Sequence, residues 1–405
     1  MSSVAVIGGG PAGMLAAAAA AKNGHAVTLF ERNEKLGKKL YLTGKGRCNI
    51  TNLVPMDEFM ANVAKNPRFL YSAFNAFDNH DIVRLINSMG VPTKTERGNR
   101  VFPESDKSSD VIKALSSYAV KCGVNVVVNK RIAAIAKDGE SGKFALEGIG
   151  RTFDSVIIAT GGASYKSTGS TGDGYAFAES FGHKVNPPMP ALIPLVSSED
   201  WCKELMGLSL KNVTLKAYRG KKCVYEELGE LLFTHFGVSG PLVLTLSSII
   251  ADMPSGISCQ IDLKPGLTHE ELDKRLLRDF EKHKHKQLNN AMIDLLPHRL
   301  IATVIEQSGI APETGVDGIT REQRRKLTET LKKLEFTVKE TLPINEAIIT
   351  RGGVDVKGIN PSTMESKLTE GLFFAGEVID VDAFTGGFNL QIAYSTAFLA
   401  GNSVR

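Results

Sequence analysis

The chain has 405 residues, 42% hydrophobic and 23% charged, which suits a folded globular protein too long for one core, so two or three domains are expected. A net charge of +4 is too small by itself to mark a nucleic-acid binder. The five cysteines at 48, 122, 202, 223 and 259 form no CxxC pair and no metal-ligand spacing, which argues against a disulfide framework or a metal site. It fits a reducing, cytoplasmic setting.

The first predicted element is a buried parallel strand over residues 4–7 (VAVI), followed at once by GGGPAG at 8–13. Glycine at the first, third and sixth positions gives the GxGxxG pattern. Gly8 permits the tight turn, Gly10 lets the backbone approach a pyrophosphate, and Gly13 allows close helix–strand packing. Residues 12–23 then read as a helix whose N-terminus offers unpaired N–H groups and a favourable dipole to phosphate. Its alanine-rich part (16–21) follows a glycine turn with no basic residues ahead of it, so it reads as a helix of the fold rather than a secretory signal. A second strand over 26–30 (AVTLF) ends at Glu31, where an acid accepts hydrogen bonds from ribose hydroxyls and repels a 2′-phosphate. Strand, glycines, helix, strand and acid in this order predict a dinucleotide site.

Residues 32–47 carry Arg32, Lys35, Lys38, Lys39, Lys45 and Arg47 against the single acid Glu34, and lead into TGKGRCN at 43–49. A basic, glycine-punctuated loop after the ribose acid suits further phosphate and flavin contacts, pointing to FAD rather than NAD. The alternative is a solvated charged loop. Farther on, 124–128 and 132–135 are apolar β-type runs; by resemblance to dinucleotide-binding folds, in which the chain here passes the adenine, backbone near Arg131 and Ile132 is expected beside it. Residues 155–158 (SVII) read as a strand entering the turn Ala159-Thr160-Gly161-Gly162, which brings backbone close to the cofactor. Thr171-Gly172-Asp173-Gly174 opens a helix to about Phe181, with Thr171 or Asp173 expected either to cap it or to act in chemistry.

From about Ala191 the pattern changes to short alternating runs over 192–263, a β-rich insertion. Within it THFGVSGP (234–241) reads as a glycine-bounded loop ahead of a helix over 242–250, and His235 is a candidate proton donor or an ordinary structural hydrogen-bonder. Residues 266–332 read as helices, with Thr268 and Glu271 in a capping-box pattern. The 13 Lys/Arg and 11 Asp/Glu over 264–332 favour a solvated helical face over a nucleic-acid groove, though a local RNA contact fits as well. His283 and His285, two apart, face different sides of a helix and make a poor metal pair. The chain then returns to a strand at 371–375 ending in Gly376 and Glu377, and to GGFNLQ (386–391), which starts a closing helix. Its N-terminal N–H groups are expected to face the flavin and stabilise negative charge there.

The motifs GGGPAG (8–13), LGKKLYLTGKGRCNITN (36–52), ATGGASYKSTGSTGDGYAFA (159–178), LLFTHFGVSGP (231–241), TRGGV (350–354), TMESK (363–367) and GLFFAGEVIDVDAFTGGFNLQIAYSTA (371–397) cover essentially the whole chain. In them it resembles the BaiN/RdsA family of NAD(P)/FAD-dependent oxidoreductases, within the two-dinucleotide-fold flavoproteins. The resemblance implies an α/β fold: a discontinuous Rossmann-like FAD-binding domain (1–191 and 345–405), an inserted β-rich domain on the substrate side (192–265 and 333–344) and a small helical domain (266–332). It also implies non-covalent FAD and NAD(P)H as a transient reductant. With the residue reading, it assigns cofactor contacts to Gly8, Gly10, Pro11, Ala12, Gly13, Glu31, Arg32, Lys39, Gly46, Arg47, Cys48, Asn49, Ile132, Thr160, Gly161, Gly376, Glu377, Gly387, Asn389, Leu390 and Gln391.

The TGDG element further resembles that of fumarate reductases and flavin ketosteroid dehydrogenases. The implied reaction is reduction of a conjugated C=C bond, hydride passing from the flavin N5 to an enone of the 3-oxo bile-acid or steroid kind. Tyr165, His235 and Arg351 are the candidates for polarising the substrate or donating a proton. Family members are also associated with reduction of uridine to dihydrouridine in ribosomal RNA. A small-molecule substrate is favoured on the near-balanced charge, with ribosomal RNA the second choice and no membrane partner. An amine oxidase, or a flavin-binding protein without catalysis, are the remaining alternatives. No second complete GxGxxG marks a nicotinamide site.

Overall fold

The strand Ser3–Ile7 lies at the centre of a five-stranded parallel sheet in the order Leu372–Phe374, Ser155–Ile158, Ser3–Ile7, Ala26–Phe30, Asn125–Val127. These are the apolar runs of the sequence, and most of their side chains are buried, as a sheet covered on both faces requires. The computed structural model describes all 405 residues, apart from the side chain of Lys45. Its chain divides into two compact units, Met1–Ala191 with Pro343–Arg405, and Leu192–Leu342.

In the first unit the helix Pro11–Lys22 is buried almost all round, which its run of alanines permits. The closing helix Phe388–Ser403 crosses it so closely that a Cβ on Gly401 would collide with the Ala16 carbonyl and come within 2.8 Å of the Ala19 methyl. Small residues on both helices therefore set their spacing. Smaller sheets flank this layer. Val185–Ala191 pairs with Ile349–Val354, Val63–Lys65 pairs with Asp382–Ala383, and Thr51–Asn52 joins the hairpin Thr93–Glu96/Arg100–Pro103. Of the β-type run expected over 132–135, residues 132–134 carry no regular structure and Ile135 opens the strand Ile135–Lys137.

One carboxylate locks the start of the central strand. Asp154 accepts hydrogen bonds from Ser3 N and Ser3 Oγ, both at 2.7 Å, and pairs with Lys143 at 3.0 Å. The Ser3 backbone and hydroxyl bonds, then Lys143, hold its pKa at about 2, below the ordinary 3.8. Because the folded-state value is depressed, its stabilisation is present above about pH 4 and lost as pH falls through about 2. Asp154→Asn is expected to flatten that part of the acid-unfolding curve, read by denaturant titrations between pH 5 and 2, and a curve parallel to wild type would refute the assignment.

The second unit is built on a closed six-stranded barrel of Leu195–Ser197, Gly237–Ser239, Lys222–Thr234, Ser209–Arg219, Ile257–Asp262 and Leu334–Thr341. The helices His269–Lys282, His298–Gln307 and Arg321–Lys332 share one continuous apolar cluster with the barrel, Leu272, Leu276, Leu300, Val304 and Leu327 joining Leu215, Ile261 and Phe336. Thr268 and Glu271 form the expected capping box. The segment 234–241, read from sequence as a loop, is instead a tight hairpin. Thr234 ends one barrel strand and pairs with Gly237, which opens the next. Gly237 sits at φ +152°, and a Cβ there would press on Leu195 O and Ser197 N of the neighbouring strand, so only glycine allows this closure.

Candidate dinucleotide site

Gly8 has φ +106°, and a Cβ on it would collide with Ala159 O, in the turn that follows Ser155–Ile158. A Cβ on Gly13 would fall on the carbonyl oxygen of Gly8. Gly10 is different: a Cβ there would meet nothing within 4 Å. It is the N-cap of Pro11–Lys22 in extended geometry (φ −75°, ψ −176°), and no side chain caps the helix. The first-turn N–H groups have no acceptor within the helix, and the N-cap beside them is open, which suits an anion. Glu31, 8% exposed, braces the turn. Its Oε2 accepts from Gly9 N at 2.7 Å, and its Oε1 accepts from Asn33 N at 2.8 Å and Asn33 Nδ2 at 2.7 Å.

The far end of the chain supplies the second wall. Gly376, at φ +75°, abuts Ala12 at the helix start so closely that a Cβ on it would lie 2.8 Å from the alanine methyl. Glu377 pairs with Lys39 Nζ at 2.7 Å and accepts from Thr350 N at 2.8 Å; Lys39 also donates to Ser164 Oγ at 2.8 Å. Thr350 Oγ1 accepts from Ala163 N at 2.8 Å and Ser164 N at 3.0 Å, fixing the turn after Thr160. The closing helix starts at Gly387 (φ +99°) without a side-chain cap, and its first backbone bond is from Gln391 N to Gly387 O. The N–H groups of Phe388, Asn389 and Leu390 thus form a second set of donors without partners in the helix. Two buried side-chain oxygens beside these elements, Thr160 Oγ1 and Asn49 Oδ1, have no hydrogen-bond partner among the described residues. Buried polar atoms of this kind require a ligand or water.

Several candidate side chains are committed elsewhere. Gln391 is wholly buried; its Oε1 accepts from Thr51 Oγ1 at 2.7 Å, and its Nε2 donates to Ser395 Oγ at 3.0 Å. Asn389 brackets Ala383 through both its amide atoms. Arg47 lies over the Phe102 ring, 4.2 Å from its centroid, and is paired with Glu96 and with Asp106, so its guanidinium belongs to the hairpin Thr93–Glu96/Arg100–Pro103. Gly46 takes φ +85° beside it. Cys48 is wholly buried, in left-handed backbone, and burial pushes its thiol up to about 12, which keeps it protonated and unreactive. Ile132 is buried, next to the exposed Arg131.

Thr171 and Asp173 do not cap the helix Asp173–Ser180, whose N-cap is Gly172 with no side-chain bond. Asp173 instead binds Arg32 and Arg131. Burial alone would raise its pKa; the bonds from Arg131 and Thr171 outweigh that and hold it below the ordinary range. Tyr165 sits in left-handed backbone (φ 53°), half-buried, and burial together with Glu346 raises its pKa. Arg351, one residue on from Thr350 in Ile349–Val354, points to the other face of the strand, its Nε 3.9 Å from the buried Asp382. His235 is exposed at the barrel hairpin, edge-on to Phe236. Among the described residues no His, Cys, Asp or Glu group could hold a metal ion. Sequence reading missed Thr350 and Ser164, whose partners are backbone groups or side chains far along the chain. The only local sign of Thr350 is its place one residue before Arg351 in a β-strand.

A parallel sheet with this glycine turn and an acid at the end of the second strand is a Rossmann dinucleotide-binding domain. The chain belongs to the HI0933-like protein Rossmann domain family, whose model matches residues 2–403. It is 33% identical to a ribosomal RNA dihydrouridine synthase of Haemophilus influenzae, over 98% of this chain and 97% of that protein. It is 31% identical to a 3-dehydro-bile acid delta(4,6)-reductase of Clostridium scindens, over 100% and 99% of the two chains. Its fold is shared with the 3-ketosteroid-delta4-(5alpha)-dehydrogenase of Rhodococcus jostii RHA1, at TM-score 0.53 and 16% identity over 99% of this chain and 96% of that one. No helix among the described residues is long and apolar enough to cross a membrane.

Proposed function

We propose that the chain is an oxidoreductase that holds FAD non-covalently and reduces a C=C bond conjugated to a carbonyl, with NAD(P)H as electron source. The observation that carries the cofactor is the open position at Gly10, facing one uncapped helix start, with a second uncapped start at Gly387. The unpartnered Asn49 Oδ1, an acceptor beside Gly387, and the unpartnered Thr160 hydroxyl fit a ligand that carries a hydrogen-bond donor as well as acceptors. On this reading the amides of Ala12 and Gly13 hold the pyrophosphate, Glu31 the ribose, and the amides of Phe388, Asn389 and Leu390 the redox end. FAD, when bound, supplies two-electron hydride chemistry.

The protein's own residues then bind and orient. The dipole of the closing helix favours negative charge at its start. The guanidinium of Arg351 orients a substrate carbonyl. Tyr165, half-buried and facing the charge of Glu346, is the proposed proton donor, giving up its phenolic proton at Oη.

For the substrate, the names of the two relatives share the saturation of a ring double bond. We favour a small 3-oxo, steroid-like enone. In the second unit Arg275, Lys282, Arg324 and Lys332 are each paired with an aspartate at 2.6–2.8 Å, which leaves fewer cations for phosphates. Dihydrouridine formation in ribosomal RNA is the second reading, on the 33% identity to the H. influenzae protein. The test is anaerobic. The protein should purify yellow or take up FAD, be bleached by NADH or NADPH, and be reoxidised by a 3-oxo-Δ4 steroid. Reoxidation by a ribosomal RNA fragment alone, falling with salt, would transfer the function to RNA. Reoxidation by neither would end the C=C reductase reading.

A further inference from the structure

We propose that segment 164–173 is a strap closing the adenosine side of the dinucleotide site, with Asp173 as its latch; the proposal rests on the FAD reading above. Between Ser164 and Gly172 its regular structure is the single turn Lys166–Thr168, Asp173 opens the helix Asp173–Ser180, and three of its residues, Tyr165, Gly169 and Gly172, lie in left-handed backbone. Its course is therefore set by side-chain ties. At one end Ser164 Oγ accepts from Lys39, which pairs with Glu377. In the middle Thr168 O accepts from Asn33 Nδ2 at 2.9 Å, and the same amide donates to Glu31, the ribose acid, at 2.7 Å. At the other end Thr171 Oγ1 accepts from Arg32 Nη1 at 2.6 Å and donates to Asp173 at 2.8 Å. Asp173 also takes Arg32 Nη1 at 3.3 Å and Arg131 Nε at 3.0 Å.

Two of these anchors lie at the proposed ribose end: Asn33 is bonded to Glu31, and Arg32 follows Glu31 in the chain. Asp173 alone joins three separate pieces of chain: Arg32 after the second strand, Arg131 beside the buried Ile132, and the strap itself. Two guanidinium groups share this one carboxylate, so the latch keeps a net positive charge toward an anionic ligand. With the latch bonded, a dinucleotide leaves only after these charge-assisted bonds open. Asp173 is a positioning residue: it acts through Arg32 and Arg131.

The experiment measures FAD release from the loaded protein by the recovery of free FAD fluorescence, and ADP binding to the apoprotein by calorimetry. Asp173→Asn should speed FAD release about tenfold, equivalent to about 1.4 kcal/mol. It should weaken ADP by a similar factor, with the apoprotein still folded and melting only a little below wild type for the loss of a carboxylate paired with Arg32 and Arg131. Arg131→Ala, at a side chain 58% exposed and so safe for folding, should speed release about threefold, about 0.7 kcal/mol. Unchanged release in both variants, from a wild-type protein that binds FAD tightly, would overturn the strap alone. A wild-type protein that takes up no FAD would overturn the FAD reading beneath it. If Asp173→Asn does not fold, Arg131→Ala and Thr171→Val decide, both expected to accelerate release.

Discussion

Replacing Gly10 with alanine is expected to leave the apoprotein as stable as wild type and to weaken FAD binding about tenfold or more. Gly10 has an ordinary extended backbone and nothing within 4 Å of a Cβ, so the fold has no objection to a methyl group there. The methyl would stand where the glycine otherwise lets a pyrophosphate approach the helix start. Gly13→Ala should behave in the opposite way. Its Cβ would land on the Gly8 carbonyl, backbone that cannot move without separating helix Pro11–Lys22 from the sheet. A loss of about 3 kcal/mol, at the upper end for overpacking, is expected even without cofactor. Thermal melting of the two apoproteins, followed by FAD titration of whatever folds, separates the cases. A Gly10→Ala protein that binds FAD like wild type would remove the pyrophosphate from this helix start. A Gly13→Ala protein of unchanged stability would mean that the Gly8–Gly13 contact is dispensable.

The contrast also explains which parts of the molecule could be read before folding. From Val4 to Phe30 the strand, turn, helix and strand are each set by neighbours within a few residues, and they appear where the apolar runs and glycines put them. The barrel strands were harder. Ser209–Arg219 and Lys222–Thr234 are long, yet their alternation breaks where the pairing shifts between Leu210 and Val213, with Asn212 at φ 54°. A bulge of this kind reverses which side chains face inward, so one continuous strand reads as two short runs. The hairpin at His235 was hidden for a related reason: Gly237 looks like a loop glycine until the neighbouring strand that presses on it is known.

At the site the limit is distance along the chain. Glu31 and the helix starts follow from local pattern. The destinations of Arg47, Lys39 and Asp173 do not. Arg47 meets Glu96 of a hairpin some fifty residues away and Asp106 just beyond that hairpin, and Lys39 meets Glu377 near the other end of the chain. Each is a basic or acidic residue in a glycine-rich motif, so composition suggests a cofactor contact for Arg47 and Lys39 and a cap or a part in the chemistry for Asp173. Only the fold shows that a protein carboxylate or guanidinium already occupies the side chain, leaving the backbone of these loops as the part free to meet a cofactor.

Thr350→Val is expected to be among the most damaging isosteric substitutions in the first unit. Valine keeps the shape and the strand preference of threonine, so the change removes an oxygen and little else. That oxygen, on a residue only 1% exposed, is the acceptor for both Ala163 N and Ser164 N. Two buried N–H groups would lose their partner together, at about 1–3 kcal/mol each. The loss should be about 2–6 kcal/mol in all if the turn stays closed. If the turn opens to let water in, the loss of stability shrinks and the site is damaged instead, because Ser164 holds Lys39, and Lys39 holds Glu377. Denaturant unfolding and FAD release measured on the same protein follow both routes. Thr350→Ser is the control: it keeps the acceptor, gives up one methyl and should cost about 1 kcal/mol. Serine and valine variants that fall equally in stability and FAD retention would show that Thr350 serves by packing. A valine variant that is clearly the worse by either measure would assign the turn over Gly161–Gly162 to this one hydroxyl.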